Sequence, residues 1–71
     1  MSNTNTTTTP AEKRISLDHM PYDMKFDTPN GEELCHATGY AVQFNGETTP
    51  IGLPLFWNEY EDSEGNLYYG N

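Results

Sequence analysis

No lysine or arginine follows Lys25. Residues 26–71 hold eight carboxylates and no cation, and the whole chain sets 11 Asp and Glu against 3 Lys and Arg, a formal charge of −8. That balance excludes a basic nucleic-acid-binding module, whose affinity comes from Lys and Arg on phosphate. A single cysteine in 71 residues excludes an internal disulfide framework. The longest apolar stretch, Ile51–Trp57, is broken by Gly52 and Pro54 and is far short of the roughly 20 residues a membrane span needs. No lysine or arginine leads an apolar run near Met1, so no secretory signal is read and a reducing cytoplasm is the expected location.

Aliphatic residues are also scarce. Leu, Ile, Val and Phe together make 11 of 71 positions, which with high net charge is the composition of a disordered chain. Nine Phe, Trp and Tyr residues between Tyr22 and Tyr69 oppose that reading, since each buries on the order of 150–250 Å² when packed. A marginal domain with an aromatic core is therefore expected, and Trp57 is a candidate for its centre.

Residues 1–12 read as a disordered Thr/Asn-rich tail and 13–71 as a single small acidic domain. Thr9-Pro10-Ala11-Glu12 has the form of a capping box, but the apolar spacing after it supports one helical turn at most. From Ile15 onward the apolar period is two: Ile15 and Leu17, then Tyr22, Met24 and Phe26, alternate with polar neighbours as half-buried strands do. Pro29 and Asn30 suit the centre of a type I turn, with Gly31 supplying a positive φ, so a strand should start near Glu32. A short helix over 32–38, from an Asn30 cap to a Gly39 stop, is the rival reading. Tyr40, Val42 and Phe44 run into Asn45-Gly46, a two-residue hairpin signal. Pro50, Gly52 and Pro54 cannot all sit in a central ladder, so the return is an edge, a bulge or a loop before Leu55–Glu61 resumes. Asp62–Asn66 repeats the turn with Gly65 left-handed, which would set Tyr60 opposite Tyr68 and Glu59 opposite Tyr69. The expected fold is all-β, or β-rich with one short helix: a small antiparallel meander of four to five strands, open or half-rolled.

Most chemistry finds no residues to perform it. His19, Cys35 and His36 are the only soft metal ligands, and adjacent Cys35 and His36 would point to opposite faces of a strand, whereas structural zinc wants four ligands in paired spacing. No cationic neighbour or helix start is visible to activate Cys35 as a nucleophile. Each glycine sits in a turn, and no glycine-rich phosphate loop is present. No metal, cofactor or catalytic residue is assigned, and the chain is read as non-enzymatic.

The charge asymmetry is the informative feature. In a strand, Glu59 and Glu61 share a face about 6.6 Å apart, comparable with successive backbone phosphates, and Asp62 and Glu64 continue the line around the turn. Arg and Lys that grip phosphate accept carboxylates in the same charge-assisted geometry. The candidate partner-binding set is therefore Glu59, Glu61, Asp62 and Glu64 with Tyr60, Tyr68 and Tyr69 beside them, joined by Asp27, Glu32 and Glu33. In size and charge the chain resembles the small acidic inhibitors that phages direct against restriction, CRISPR and repair enzymes. That resemblance implies a phage-encoded anti-defence protein acting in the host cytoplasm, covering the basic nucleic-acid-binding surface of a nuclease complex. The expected partner is a protein with an Arg/Lys-rich surface, with no direct nucleic-acid or membrane contact and self-association left open. Two alternatives stand beside it: an interaction module such as an immunity protein, antitoxin or assembly factor, binding through aromatics or a sheet edge, and a merely solubilising acidic surface.

Overall fold

The structure is a computed structural model that describes residues 12–70. The proposed tail lies outside these residues except for Glu12, which opens the first strand. Five strands form an open antiparallel sheet that does not close into a barrel: β1 (Glu12–Ser16), β2 (Met24–Thr28), β3 (Gly31–Phe44), β4 (Trp57–Glu61) and β5 (Leu67–Gly70). No helix occurs among the described residues. The order is β1–β3–β4–β5, with β2 also paired to β3.

β3, 14 residues long, is the spine. β2 pairs with its first part, residues 31–35, and β1 with its last, residues 40–44. The helix considered for 32–38 is therefore replaced by strand. The turn before β3 explains the choice: Thr28 pairs with Gly31 across Pro29-Asn30, and Gly31 takes φ +94°. The hairpin so nucleated commits Glu32 onward to the ladder. At the far end Asn45 and Gly46 both adopt positive φ, 52° and 69°, and the Glu47 amide donates to the Phe44 carbonyl at 2.9 Å. The returning chain then leaves the sheet, since residues 47–56 keep only one isolated bridge, Thr48 with Pro54. Pro50 and Pro54 cannot donate to a ladder, and pairing resumes at Trp57 rather than Leu55.

Cross-strand partners divide the side chains between two faces. Both faces carry aromatic packing: on the outer face Phe44 meets Tyr69 edge-on at 5.0 Å between ring centroids and Val42 is 2% exposed, and the inner face holds the larger cluster. Phe26 packs on Tyr60 and on Tyr68, each at 5.3 Å between ring centroids, above Cys35 and Ala41, which are buried. Tyr60, 2% exposed, is the deepest aromatic. Trp57 is only half-buried. Its indole Nε1 donates to Glu47 Oε1 at 3.0 Å, so it clasps the 47–56 loop instead of filling the centre.

Candidate partner-binding surface

The outer face falls into two halves on either side of an irregularity in β3. Ala37 pairs with Tyr60 and Ala41 with Asn58, so Thr38, Gly39 and Tyr40 all lie opposite Glu59. Accommodating that bulge requires a left-handed residue, and Gly39 supplies it with φ +93°. Two side chains of β3 thereby converge on one residue of β4. Thr38 donates its hydroxyl to Glu59 Oε1 at 2.8 Å. Tyr40 carries on its ring the guanidinium of Arg14, 3.8 Å from the centroid. Arg14 in turn donates from Nη2 to Glu59 Oε1 at 2.8 Å and from Nε to Oε2 at 3.4 Å, and Tyr69, the cross-strand neighbour, donates its hydroxyl to Oε2 at 3.1 Å.

Glu59 is therefore 2% exposed. The Arg14 hydrogen bond is the main reason its pKa lies below the ordinary glutamate value; burial opposes that shift, and Thr38 and Tyr69 reinforce it. Tyr69, half-buried and donating to that carboxylate, is raised, desolvation being the larger cause. This overturns the continuous acidic row: Glu59 and Glu61 do share a face, but the carboxylate of Glu59 is closed off by a cation from the opposite end of the chain.

Asp62 is the second correction. Only 7% exposed, it organises the β4–β5 turn. Its Oδ1 accepts the amides of Glu64 at 2.8 Å and Asn66 at 2.9 Å, and its Oδ2 accepts the Asn66 side chain at 3.0 Å and the Tyr68 hydroxyl at 2.9 Å. Burial pushes its pKa up, but the bonds from Asn66, Tyr68 and Glu64 outweigh burial and bring it down to about 2. Tyr68, half-buried and donating to that carboxylate, is raised to about 12 by desolvation first and then by Asp62. Tyr60 and Tyr68 pack on Phe26 from the inner face, and Tyr68 meets the acids only through its bond to the buried Asp62.

The remaining members of the set are brought together at one end of the molecule. The β2–β3 turn meets the β4–β5 turn through two bonds: Asn30 Nδ2 donates to Glu64 Oε2 at 2.9 Å, and the Ser63 amide donates to Glu33 Oε2 at 2.9 Å. Glu33 is thus half-buried and acts as a brace. Asp27, Glu32, Glu61 and Glu64 stay exposed, and Asp27 and Glu32 are direct cross-strand partners. The sequence pointed to these residues individually, but it could not show that turns some 30 residues apart would touch. It also missed Arg14, Thr38 and Tyr40, whose roles depend on the bulge at Gly39.

Cys35 is buried and faces away from His36; burial first, then Glu33 and Asp62, raise its thiol pKa. The His36 ring nitrogen Nδ1 lies 2.8 Å from Asp23 Oδ2. Among the described residues no three His, Cys, Asp or Glu side chains come together as a metal site, and no helix is long and apolar enough to cross a membrane. Comparison of the chain with family models, with curated proteins and with solved structures finds no match.

Proposed function

We propose that the protein is a non-enzymatic acidic inhibitor of the anti-CRISPR or anti-restriction kind, acting in the cytoplasm of a phage host and covering the basic nucleic-acid-binding surface of a defence complex. The observation that carries this reading is the Asp27–Glu32 pair. Like charges directly opposite on neighbouring strands destabilise a sheet, and among the described residues neither carboxylate has an ion pair; the nearest strand cation, Lys25, stands two residues before Asp27 on the same face, opposite Leu34. The carboxylates that the fold uses, Glu59, Asp62 and Glu33, each have hydrogen-bond donors, whereas Asp27 and Glu32 face each other and have no side-chain hydrogen-bond donor among the described residues. A partner rich in Arg and Lys supplies the missing compensation, and such complementarity also speeds encounter.

The test has two steps. The chain, immobilised, is offered a bacterial lysate at about 50 mM and about 500 mM salt, which changes the screening length several-fold; the captured protein is then purified and its nucleic-acid binding measured with and without the chain. Capture that is lost at high salt, with nucleic acid displaced stoichiometrically, is the expected result. Capture that survives high salt, or nucleic acid that stays bound beside the chain, refutes the inhibitor reading and favours an interaction module.

A further inference from the structure

We infer that the docking surface is the bare half of the outer face, and that its occupant is an arginine- and lysine-rich segment of a partner protein whose aliphatic stems lie on Leu34 and Leu67. This inference rests on the basic-partner reading above and adds the place and the chemistry of contact. Alternation along β3 puts Glu32, Leu34 and His36 on the outer face, where Asp27 pairs with Glu32, and where His36, Glu61 and Leu67 form one row across β3, β4 and β5. Among the described residues nothing covers the leucines of this half. Leu34 is 53% and Leu67 47% exposed, and the carboxylates around them, Asp27, Glu32 and Glu61, are all exposed. The inner side of the same strands is filled by Phe26, Cys35, Tyr60 and Tyr68, so the two leucines are surplus to the core.

Two exposed leucines, Leu34 two residues from Glu32 on β3 and Leu67 opposite Glu61, suit a particular kind of side chain. Arg and Lys lay three or four methylenes on apolar surface while holding the charge at the rim, and an Arg fork pairs bidentately with a carboxylate. A second copy of this chain is a poor occupant, because docking face on face would set Asp27, Glu32 and Glu61 against their own kind. Two other charges of this half set the limits of the match. Asp23 is occupied by His36, and Lys25, the partner of Leu34 on β2, is the one strand cation on this half among the described residues and repels a basic occupant.

The experiment titrates the intact chain with a nona-arginine peptide and follows backbone amide NMR shifts, with binding to variants measured by calorimetry. Shifts should cluster on residues 32–36, 61 and 67. Glu32→Gln with Glu61→Gln should weaken binding about tenfold or more, whereas Asp18→Asn with Glu47→Gln, an equal loss of charge elsewhere, should leave it within about twofold. Leu34→Ser with Leu67→Ser keeps every charge and should still weaken binding severalfold. Lys25→Gln should strengthen it. Equal losses from both charge pairs, leucine variants that bind like the parent, or concentration-dependent shifts of the same amides without peptide, which report self-docking, each overturn the assignment. Failure of the inhibitor reading is seen separately, as a peptide bound on this face by a chain that displaces no nucleic acid.

Discussion

Glu59 and Glu61 stand two residues apart on one strand and on one face, yet the first is sealed and the second bare. The difference lies in what β3 sets opposite them. Across from Glu61 is His36 in regular register; across from Glu59 are three residues in a bulge, which deliver a hydroxyl and an aromatic shelf for Arg14. A carboxylate in that position is part of the architecture. Its neighbour contributes charge and little else, while one turn further on Asp62 is buried and Glu64 is exposed but still accepts the Asn30 side chain. Count of charge therefore says little about which charges are available; backbone register decides it.

Substitutions at the two positions should differ most in stability. Glu59→Gln removes a charge that Arg14, Thr38 and Tyr69 all donate to, and should cost about 1–3 kcal/mol, with a fall of several degrees in the unfolding midpoint for a domain of this size. Arg14→Gln should do more harm, since it leaves the carboxylate buried without its cation. Glu61→Gln should leave the midpoint unchanged within error. If Glu59→Gln and Glu61→Gln melt together, the sealed and bare halves are not distinct. The bulge itself is tested by Gly39→Ala: with φ at +93° an added Cβ strains the backbone by about 1–2 kcal/mol, a thermal-melting difference that should vanish if residues 38–40 run as regular strand.

Acid should reveal the same division. Glu59 is held below the glutamate value of 4.5 and Asp62 at about 2 against 3.8. A carboxylate with a depressed folded-state pKa stabilises the fold above its ordinary pKa and loses that contribution as pH falls through the folded-state value. Stability should therefore hold down to about pH 4.5 and then decline toward pH 2. Asp62→Asn should be less stable at neutral pH and decline less steeply, as read by denaturant unfolding across the range. An unchanged slope in that variant would mean that the turn does not depend on the ionised carboxylate.

Local signals in the sequence were enough for the turns and for the register of the last hairpin. Pro29-Asn30-Gly31, Asn45-Gly46 and Asp62–Asn66 have backbone requirements that few residues meet, and Glu59 does pair with Tyr69 and Tyr60 with Tyr68. Alternation likewise separated Cys35 from His36. What could not be read is whatever depends on contact across long separations. Arg14 and Glu59 are 45 residues apart, and nothing near either one announces the other. Gly39 looked like a helix stop because a positive φ serves a C-cap as well as a bulge. Trp57 looked central because of its size, but at the start of β4, opposite Val42, it is half-buried and is bonded to Glu47 of the 47–56 loop.

The smallest expected effect is the one that bears most directly on why the bare half exists. Asp27 and Glu32 face each other at the end of β2 with no ion pair among the described residues, Lys25 standing two residues before Asp27, so neutralising one should relieve repulsion and stabilise the isolated chain by about 0.2–1 kcal/mol. Glu32→Gln is the cleaner variant, since Gln keeps the length and shape of the side chain. Careful chemical denaturation with unchanged m-values resolves such a gain. A positive sign would mean that the natural residue lowers stability, as positions kept for binding do, while the same substitution weakens capture of a basic partner. A negative sign would mean that Glu32 is held by the fold, and the acidic pair would then give no support to a partner.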